Sequence, residues 1–327
     1  MKLSKTSLIS IAAGAGALML LAPWAFSQPP GAPGASGRGG GGLRGSAVPF
    51  DYNDNTGFQS LFDGKTLNGW DGAPGMWNVV DGAIHIDTAC EHPTGTTYNI
   101  WTGGEAGDFI LKYDMKGTIN VNGGMQFRSF LTEDPNAPKY PPPAGRGGGG
   151  GRGGSGGGGR GGSGRGAGFG AGGGSGRGGG AGRGPQVSCA TPPPPAPDRA
   201  SLAKWNLNGY QVDFDANNQW GGNIYEQGGR GVITNPGHAL LAEPGQAVRT
   251  TATLADKATL DSWFHKDDYN HFVVIAVGHT ISTYMNDHLI MLLVDNDPNY
   301  FRASGKIALE VESTGGYWVK NINLKKL

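Results

Sequence analysis

The amino-acid sequence predicts an all-β fold, a sandwich of roughly a dozen short antiparallel strands. In many stretches apolar residues alternate with polar ones, which is typical of strands with one buried face. Gly, Asn and Asp residues separate these stretches and indicate tight turns. Only residues 198–206 and 256–263 have the pattern of short helices.

The predicted strand at residues 209–215 shows the alternation most clearly. Its even-numbered residues from Tyr210 to Phe214 are apolar, whereas Gln211 and Asp213 are polar. Successive side chains of a strand point to opposite faces, so a polar row would face away from the core. The other candidate strands are residues 76–80, 83–87, 108–116, 123–130, 222–226, 271–277, 279–285, 288–294, 305–312 and 317–325.

The N-terminus, residues 1–27, has the pattern of a secretory signal peptide. Basic residues precede an apolar run from Leu8 to Pro23, and small residues precede Gln28. The apolar run is short and interrupted by glycines, so it does not favour a membrane span, although an uncleaved anchor is the alternative. We therefore expect a periplasmic or extracellular protein with no stable membrane insertion after signal cleavage.

Two segments have too few apolar residues to fold. Residues 28–47 form a predicted flexible arm rich in Gly, Pro and Arg, and residues 141–186 form a predicted disordered Gly/Arg-rich insertion. Strand patterns on both sides of the insertion predict that residues 48–327 are a single β-sandwich domain interrupted by it. The Arg-Gly repeats also permit contact with an anionic polymer of the cell envelope.

The distribution of charge argues against nucleic-acid binding. Basic and acidic residues number 26 each, but all acidic residues lie outside the signal, the arm and the insertion. The folded part is therefore acidic, which disfavours contact with phosphate backbones. Cys90 and Cys189, the two cysteines, either pair across the insertion in an oxidising compartment or remain as free thiols.

From residue 57 to the C-terminus, excluding the insertion, the sequence resembles the 3-keto-disaccharide hydrolase domain family. The resemblance implies a concanavalin A-like jelly roll and activity on glycosides whose sugar is oxidised at carbon 3, so the expected partner is a carbohydrate. It lies in seven ordered segments: GFQSLFDGKTLNGWDG (57–72), MWNVVDGAIH (76–85), NGGMQFRS (122–129), GYQVDFDA (209–216), IYEQGGRGVI (224–233), YNHFVVIAVGHTISTYMNDHLI (269–290) and GKIALEVESTGGYWVKNINLKKL (305–327).

A ketone at C3 acidifies the proton on C2, and this suggests a route for cleavage. A base removes the C2 proton, the alcohol on C1 leaves, and water then adds to the unsaturated ketone. Such a route needs a base, a group that stabilises the enolate, and an acid for the leaving group. Ordinary glycosidases instead use two carboxylates around an oxocarbenium-like transition state.

The candidate catalytic residues are Asp213, Glu226 and Arg128. Asp213 is the first choice for the base and Glu226 the second, and the alternative is that both are solvated acids of amphipathic strands. Arg128, predicted to alternate with Gln126 on one strand, could stabilise the enolate or form a structural ion pair with an acid such as Asp213.

Further side chains are expected to bind substrate on the same face, although Asn122 could instead adopt a left-handed turn and Trp220 could instead fill the core. They come from the predicted strands and the glycine-rich segment after them: Asn122, Gln126, Gln211, Tyr225, Arg230, Trp220, His85 and Glu312. Members of the family carry Leu-Gln-Leu-His where this chain has Leu-Glu-Val-Glu at 309–312, so Glu312 replaces a histidine. This difference leaves a non-catalytic carbohydrate-binding module of the cell envelope as the alternative function.

No cofactor is certain from the sequence. The seven histidines form no close-spaced pair of the His-x-x-x-His kind, so a zinc site cannot be read. Asp295, Asn296, Asp297 and Asn299 could supply oxygen ligands to calcium, but the pattern favours a plain Asp/Asn turn because it lacks the Gly and distal Glu of an EF-hand. The metal ligands are therefore unknown, and a divalent metal stays an open alternative.

Overall fold

The computed structural model describes residues 51–118, 120–141, 188–312 and 314–327. The predicted signal peptide and arm, and all of the predicted insertion except Pro141, lie outside the described residues. Within the described ranges, 17 strands form two sheets that pack face to face. No helix in these ranges is long and apolar enough to cross a bilayer.

The strands are numbered here in chain order. They are β1 Gln59–Ser60, β2 Trp70–Gly72, β3 Asn78–Val80, β4 Ala83–Asp87, β5 Thr97–Trp101, β6 Phe109–Gly117, β7 Asn122–Leu131, β8 Leu207–Asp215, β9 Ile224–Gln227, β10 Gly231–Val232, β11 His238–Ala242, β12 Arg249–Thr253, β13 Asn270–Val277, β14 Thr280–Met285, β15 His288–Asp295, β16 Lys306–Val311 and β17 Gly316–Lys326. The helices are α1 Arg199–Leu202, a 3₁₀ helix Ala203–Trp205 and α2 Lys257–Trp263.

Sheet A contains ten strands and sheet B contains seven. The order in sheet A is β12-β11-β15-β14-β13-β6-β17-β4-β3, with β1 paired to β17, and the order in sheet B is β10-β9-β8-β7-β16-β5-β2. Because β7 pairs with β8, strands from both sides of the predicted insertion belong to one sheet. The predicted all-β jelly-roll sandwich is confirmed.

One pair of strands differs from the predicted antiparallel arrangement, since β11 runs parallel to β15. Local alternation carries no information about the direction of a partner strand. The sequence pattern also missed several short strands, namely β1, β2, β5, β10, β11 and β12.

Local chemistry explains the elements that the pattern did predict. Asp256 begins α2 by accepting a hydrogen bond from the backbone N–H of Thr259 at 2.8 Å. Asn286 and Asp287 both have positive φ, 49° and 69°, which is the geometry of a two-residue type I′ hairpin turn between β14 and β15.

Aromatic side chains from both sheets form the core. Phe127 of β7 packs edge-on against Phe109 of β6 with ring centroids 5.9 Å apart, and Phe214 of β8 packs against Phe272 of β13 at 6.2 Å. These four rings are almost fully buried. Since side chains alternate along each strand, Gln126 beside Phe127 and Asp213 beside Phe214 point away from the core.

A disulfide joins Cys90 to Cys189, with the Cα atoms 5.5 Å apart. It connects the segment after β4 to the chain that follows the predicted insertion. The structure thus decides between the two alternatives that the sequence left open, pairing and free thiols.

Removing this disulfide should destabilise the fold, because the bond restricts the unfolded chain across 99 residues. We expect Cys90→Ser/Cys189→Ser to lower the free energy of unfolding by about 2–5 kcal/mol. Guanidinium denaturation followed by tryptophan fluorescence measures the change. A reductant should shift the wild-type curve and leave that of the double variant unchanged; equal stability of both proteins would contradict the prediction.

Candidate active site

The outward face of sheet B brings two carboxyl groups together across a glycine. In the register of the sheet, Asp213 of β8 lies opposite Gly124 of β7, and Gly124 lies opposite Glu310 of β16. A Cβ atom at Gly124 would come within 2.9 Å of the Gln211 side-chain nitrogen. Only glycine therefore leaves room for Gln211 to lie between the two acids.

Gln211 hydrogen-bonds to both carboxyl groups. Its Nε2 donates to Asp213 Oδ1 at 3.0 Å and to Glu310 Oε2 at 3.1 Å, while its Oε1 accepts from Gln126 Nε2 at 2.5 Å. Ser129 Oγ in turn donates to Gln126 Oε1 at 2.8 Å. This chain of amides and a hydroxyl fixes which end of the Gln211 amide faces the acids.

The two acids differ in the hydrogen bonds they receive. Asp213 accepts a second bond from Asn223 Nδ2 at 3.3 Å, whereas Glu310 Oε1 is buried without a hydrogen-bond partner. Both side chains point away from the core and are nevertheless buried, with exposures of 7% and 1%. A donor to a carboxylate stabilises its charged form, so Asp213 carries negative charge more readily than Glu310.

Burial raises the pKa of three carboxyl groups on this face. For Asp213 the nearby Glu312 adds to the effect of burial, and hydrogen bonds from Asn223 and Gln211 oppose it. For Glu310 the charges of Glu312 and Asp213 raise the pKa further. For Glu312 burial around the carboxyl group raises the pKa, and the hydrogen bond from Asn122 lowers it.

The rim of this face is more open to solvent. Glu312 is exposed and accepts a hydrogen bond from Asn122 Nδ2 at 2.5 Å, while Tyr225 is half-buried opposite Gln211. Burial, together with the nearby acids, raises the pKa of Tyr225 to about 12. Trp220 lies half-buried in the loop after β8, where its backbone N–H donates to Asp215 Oδ2 at 2.6 Å.

The structure therefore brings most of the predicted binding residues to one face. The residues that share this outward face of sheet B are Asn122, Gln126, Gln211, Asp213, Tyr225 and Glu312. Sequence reasoning missed Glu310, Asn223 and Tyr98, of which Tyr98 lies opposite Glu310 in β5. In the sequence, Glu310 lies two residues before Glu312, and this spacing was the signal that both side chains share one face of a strand.

Arg128 does not lie on this face, so its predicted alternation with Gln126 is wrong. The register of β7 and β8 shifts after Phe127, and Arg128 has a positive φ of 46°. Its buried guanidinium donates to the carbonyls of Gly107 and Gly278, both at 2.9 Å, and pairs with Asp108 at 3.1 Å. The bulge directs the Arg128 side chain towards the turns that contain Gly107 and Gly278. Arg128 therefore has the structural role that was the alternative expectation, but its partner is Asp108 and not Asp213.

Glu226 and Arg230 also lie elsewhere. Glu226 sits opposite the core residue Tyr210, because Tyr225 takes the outward position of β9. Arg230 Nε donates to Glu226 Oε2 at 2.6 Å, and the guanidinium also pairs with Asp295. Burial opposes the charge of Arg230, but Asp295 and Glu226 raise its pKa overall. Arg230 therefore links β9 of sheet B to the end of β15 in sheet A, and its two acidic partners are Glu226 and Asp295 and not Asp213.

His85 lies on the opposite side of the sandwich. It faces outward from sheet A, stacks on Trp318 with centroids 4.3 Å apart, and has Nδ1 2.9 Å from the carbonyl oxygen of Tyr317. Burial lowers the pKa of this imidazole. The expected role in substrate binding with Asp213 does not fit this position.

The loop considered for calcium uses its acids within the protein. Asp295 pairs with Arg230 and accepts a hydrogen bond from the Tyr210 hydroxyl at 2.6 Å, and Asp297 Oδ1 accepts from the N–H of Asn299 at 3.0 Å. Among the described residues, no group of three His, Cys, Asp or Glu side chains has an arrangement suited to a metal ion. The divalent metal remains an untested prediction.

The fold and this face define a jelly-roll β-sandwich with a buried carboxyl pair outside the core. The chain matches the 3-keto-alpha-glucoside-1,2-lyase-like domain over residues 57–145 and 195–325, more than half of its length. It belongs to this family, and the resemblance identified in the sequence is confirmed. No protein in the curated set matches significantly.

Several solved structures are similar to this chain at low identity. Carbohydrate binding module CBM66 from Bacillus subtilis is 13% identical, with 79% of this chain and 96% of that chain covered and a TM-score of 0.37. A Parabacteroides distasonis protein named as an inferred glycosyl hydrolase is 11% identical, with 86% and 98% covered and a TM-score of 0.43. A Bacillus subtilis protein with a galectin-like fold is 9% identical, with 80% and 90% covered and a TM-score of 0.41. These similarities are too distant to argue a function.

The raised pKa of Glu310 predicts a stability that falls as the pH rises. Above the ordinary carboxyl pKa near 4.5, the folded protein binds more protons at Glu310 than the unfolded chain does, so stability is lost up to the folded pKa. Glu310→Gln removes this titration. We expect the stability of the variant relative to wild type to rise by up to about 1.4 kcal/mol per pH unit across that window.

Urea denaturation at a series of pH values measures this difference. Glu133→Gln, a change of an exposed acid, serves as the matched control and should give a difference that does not vary with pH. A constant difference for Glu310→Gln as well would show that Glu310 ionises as freely in the fold as in the unfolded chain.

Arg128 should be a structural residue. Arg128→Lys keeps the charge but cannot donate to the same set of carbonyls, so we expect a loss of about 2–4 kcal/mol in unfolding free energy. Arg249→Lys, at an exposed ion pair, should change stability by less than about 0.5 kcal/mol. Thermal and guanidinium denaturation test both variants. If the two substitutions lowered the unfolding free energy by the same small amount, the hydrogen bonds of Arg128 would not stabilise the fold as predicted.

Proposed function

We propose that this protein cleaves 3-keto-glycosides by abstracting the C2 proton, eliminating the C1 alcohol and adding water to the product. The observation that carries the proposal is the pair Asp213 and Glu310, buried on an outward face and bridged by Gln211. Membership of the lyase-like family supports the substrate class. The carboxyl pair supplies the base and acid that elimination requires.

Asp213 is the base in this proposal and Glu310 is the acid. Asp213 accepts two amide hydrogen bonds, which favour its carboxylate form. Glu310 accepts only one such bond, and its burial together with the negative charge of Asp213 favours its protonated form. Two carboxyl groups in different environments can thus hold opposite protonation states at one pH.

In the first step, Asp213 takes the proton from C2 and the electron pair forms an enolate with the C3 carbonyl. The enolate then returns to the ketone as the C1–oxygen bond breaks and a double bond forms between C1 and C2. The leaving oxygen takes the proton of Glu310. The carboxylate of Glu310 then accepts a proton from a water molecule while the water oxygen adds to C1. Protonated Asp213 returns its proton to C2.

The enolate oxygen needs a hydrogen-bond donor, and Arg128 is engaged elsewhere. The proposal assigns this role to Glu312, since a carboxyl group with a raised pKa donates when protonated. Glu312 lies at the exposed rim beside Asn122, and its ionised form is close enough to raise the pKa of both Asp213 and Glu310, so the two acids in turn favour a neutral Glu312.

A second function, carbohydrate binding without turnover, has its own supporting observation. The face carries several side-chain amides, which hydrogen-bond sugar hydroxyls as well as they orient acids, and Glu312 replaces the histidine of the family motif. Binding of the substrate without release of the alcohol would favour this function over the first.

We also propose that the protein acts outside the cytoplasm. The predicted signal peptide and the Cys90–Cys189 disulfide support this, because such bonds persist in oxidising compartments. Fractionation of cells that express the tagged full chain tests it; recovery of the unprocessed chain in the cytoplasm would oppose it.

The activity is tested with a chromogenic 3-keto-α-glucoside and the full chain. Asp213→Asn should lower kcat by about 10²–10⁴, because the amide cannot accept the C2 proton. Glu133→Gln should retain wild-type turnover, and circular dichroism should show that both variants are folded.

The route of cleavage is tested with substrate deuterated at C2. Elimination predicts a primary isotope effect on kcat/KM and incorporation of solvent hydrogen at C2 of the product, with a product-only incubation to correct for exchange. Cleavage without either signature would support displacement at C1 instead.

A further inference from the structure

A polar cavity lies on the outward face of sheet A, on the other side of the sandwich from Asp213. Its volume is about 440 Å³, within the range of small-molecule sites. Lys112 and Asp114 of β6 line it, because they alternate with the core residues Leu111 and Tyr113. None of the residues argued to carry glycoside cleavage takes part in this cavity.

A β-bulge shapes one wall of the cavity. Lys320 of β17 pairs with Asp114 and Asn323 pairs with Lys112, so β17 contains one residue more than β6 between these pairs. Asn321 takes up the extra length with a positive φ of 53°, and its Nδ2 donates to Asp114 Oδ2 at 2.5 Å. Bulges redirect side chains in this way, and here two asparagines of β17, Asn321 and Asn323, line the same cavity.

A histidine–aspartate pair forms the floor of the site. His271 of β13 lies opposite Asp114, with Nδ1 2.7 Å from Asp114 Oδ1. The carboxylate accepts a hydrogen bond, so Nδ1 carries a proton and Nε2 is the ring nitrogen not used by this pair. This Nε2 is shielded from solvent and has no hydrogen-bond partner within the protein.

The N-terminal side of the domain forms the opposite wall. Lys112 Nζ donates to the backbone carbonyls of Tyr52 at 2.8 Å and Asp54 at 2.7 Å, which ties this segment across sheet A. Asn53 and Asn55 of the same segment line the cavity. Four asparagine side chains therefore line the cavity, together with one lysine, one aspartate and one histidine.

The chemistry of this lining favours a neutral ligand with several hydroxyl groups. The charges of Lys112 and Asp114 offset each other, so the cavity offers no excess charge to an ion. Each asparagine supplies both a donor and an acceptor, which matches the dual character of a hydroxyl group. We propose that this cavity is a second saccharide-binding site, in which the asparagine side chains hydrogen-bond sugar hydroxyls and the His271 ring forms part of the lining.

The proposal is tested with glucose and maltose titrated into the full chain by calorimetry and by ligand-observed NMR. The background is Asp213→Asn/Glu310→Gln, which removes the proposed acid and base, so that this test does not depend on the proposed activity. Binding should persist in that background and weaken at least about tenfold when His271→Ala is added, through loss of the imidazole from the lining of the cavity. His265→Ala, a change of an exposed histidine that does not line the cavity, should leave the affinity unchanged.

Three results would overturn the proposal. They are absence of saccharide binding in the background variant, an affinity that His271→Ala does not alter, and displacement of the sugar by sulfate, which would indicate an anion site. Should His271→Ala fail to fold, Asn55→Ala replaces it, because Asn55 is an exposed residue outside the strands that lines the cavity. An affinity that Asn55→Ala leaves intact would then count against the site.

Discussion

The side-chain amide of Gln211 is hydrogen-bonded to two buried carboxyl groups, and the proposed chemistry depends on this contact. It exists because β8, β7 and β16 are in a register that aligns Asp213, Gly124 and Glu310. A side chain at position 124 would occupy the space of the amide. The absence of one Cβ atom therefore decides whether the two acids can be bridged.

Burial of acids without a neighbouring cation has a direct electrostatic consequence. The two arginines expected near the acids are engaged elsewhere, Arg128 with backbone carbonyls and Arg230 with Glu226 and Asp295. The carboxyl groups on the outward face are instead surrounded by amides and by one another. Protonation is then the main way to reduce the cost of burying their charge, and a buried neutral acid beside a carboxylate is suited to proton transfer.

The two outward faces of the sandwich are polar in different ways. The face of sheet B concentrates acids with amide donors, whereas the cavity on sheet A balances a lysine against an aspartate and adds four asparagines. The same aromatic core supports both, since each strand that contributes a polar residue outward contributes an apolar residue inward. The two proposed sites, for cleavage on sheet B and for saccharide binding on sheet A, therefore lie on opposite faces of the same packed sheets.

The sequence alone determined the class of fold and most of the outward row on sheet B. Alternation has a period of two, so it assigns Gln211, Asp213 and Glu312 to faces without knowledge of their partners. It failed at Arg128, where a bulge breaks the period. It also assigned Glu226 to the site, although this residue takes the inward position of a strand whose outward position belongs to Tyr225.

Only the tertiary structure decided which of these residues meet. Glu310 lies 97 residues after Asp213 in the chain, and their proximity follows from the register of non-adjacent strands. The parallel pairing of β11 with β15 and the choice of Cys90 and Cys189 as a bonded pair arise in the same way. Local patterns specify the face of a side chain, whereas contacts between distant segments depend on hydrogen-bond register and packing across the whole sheet.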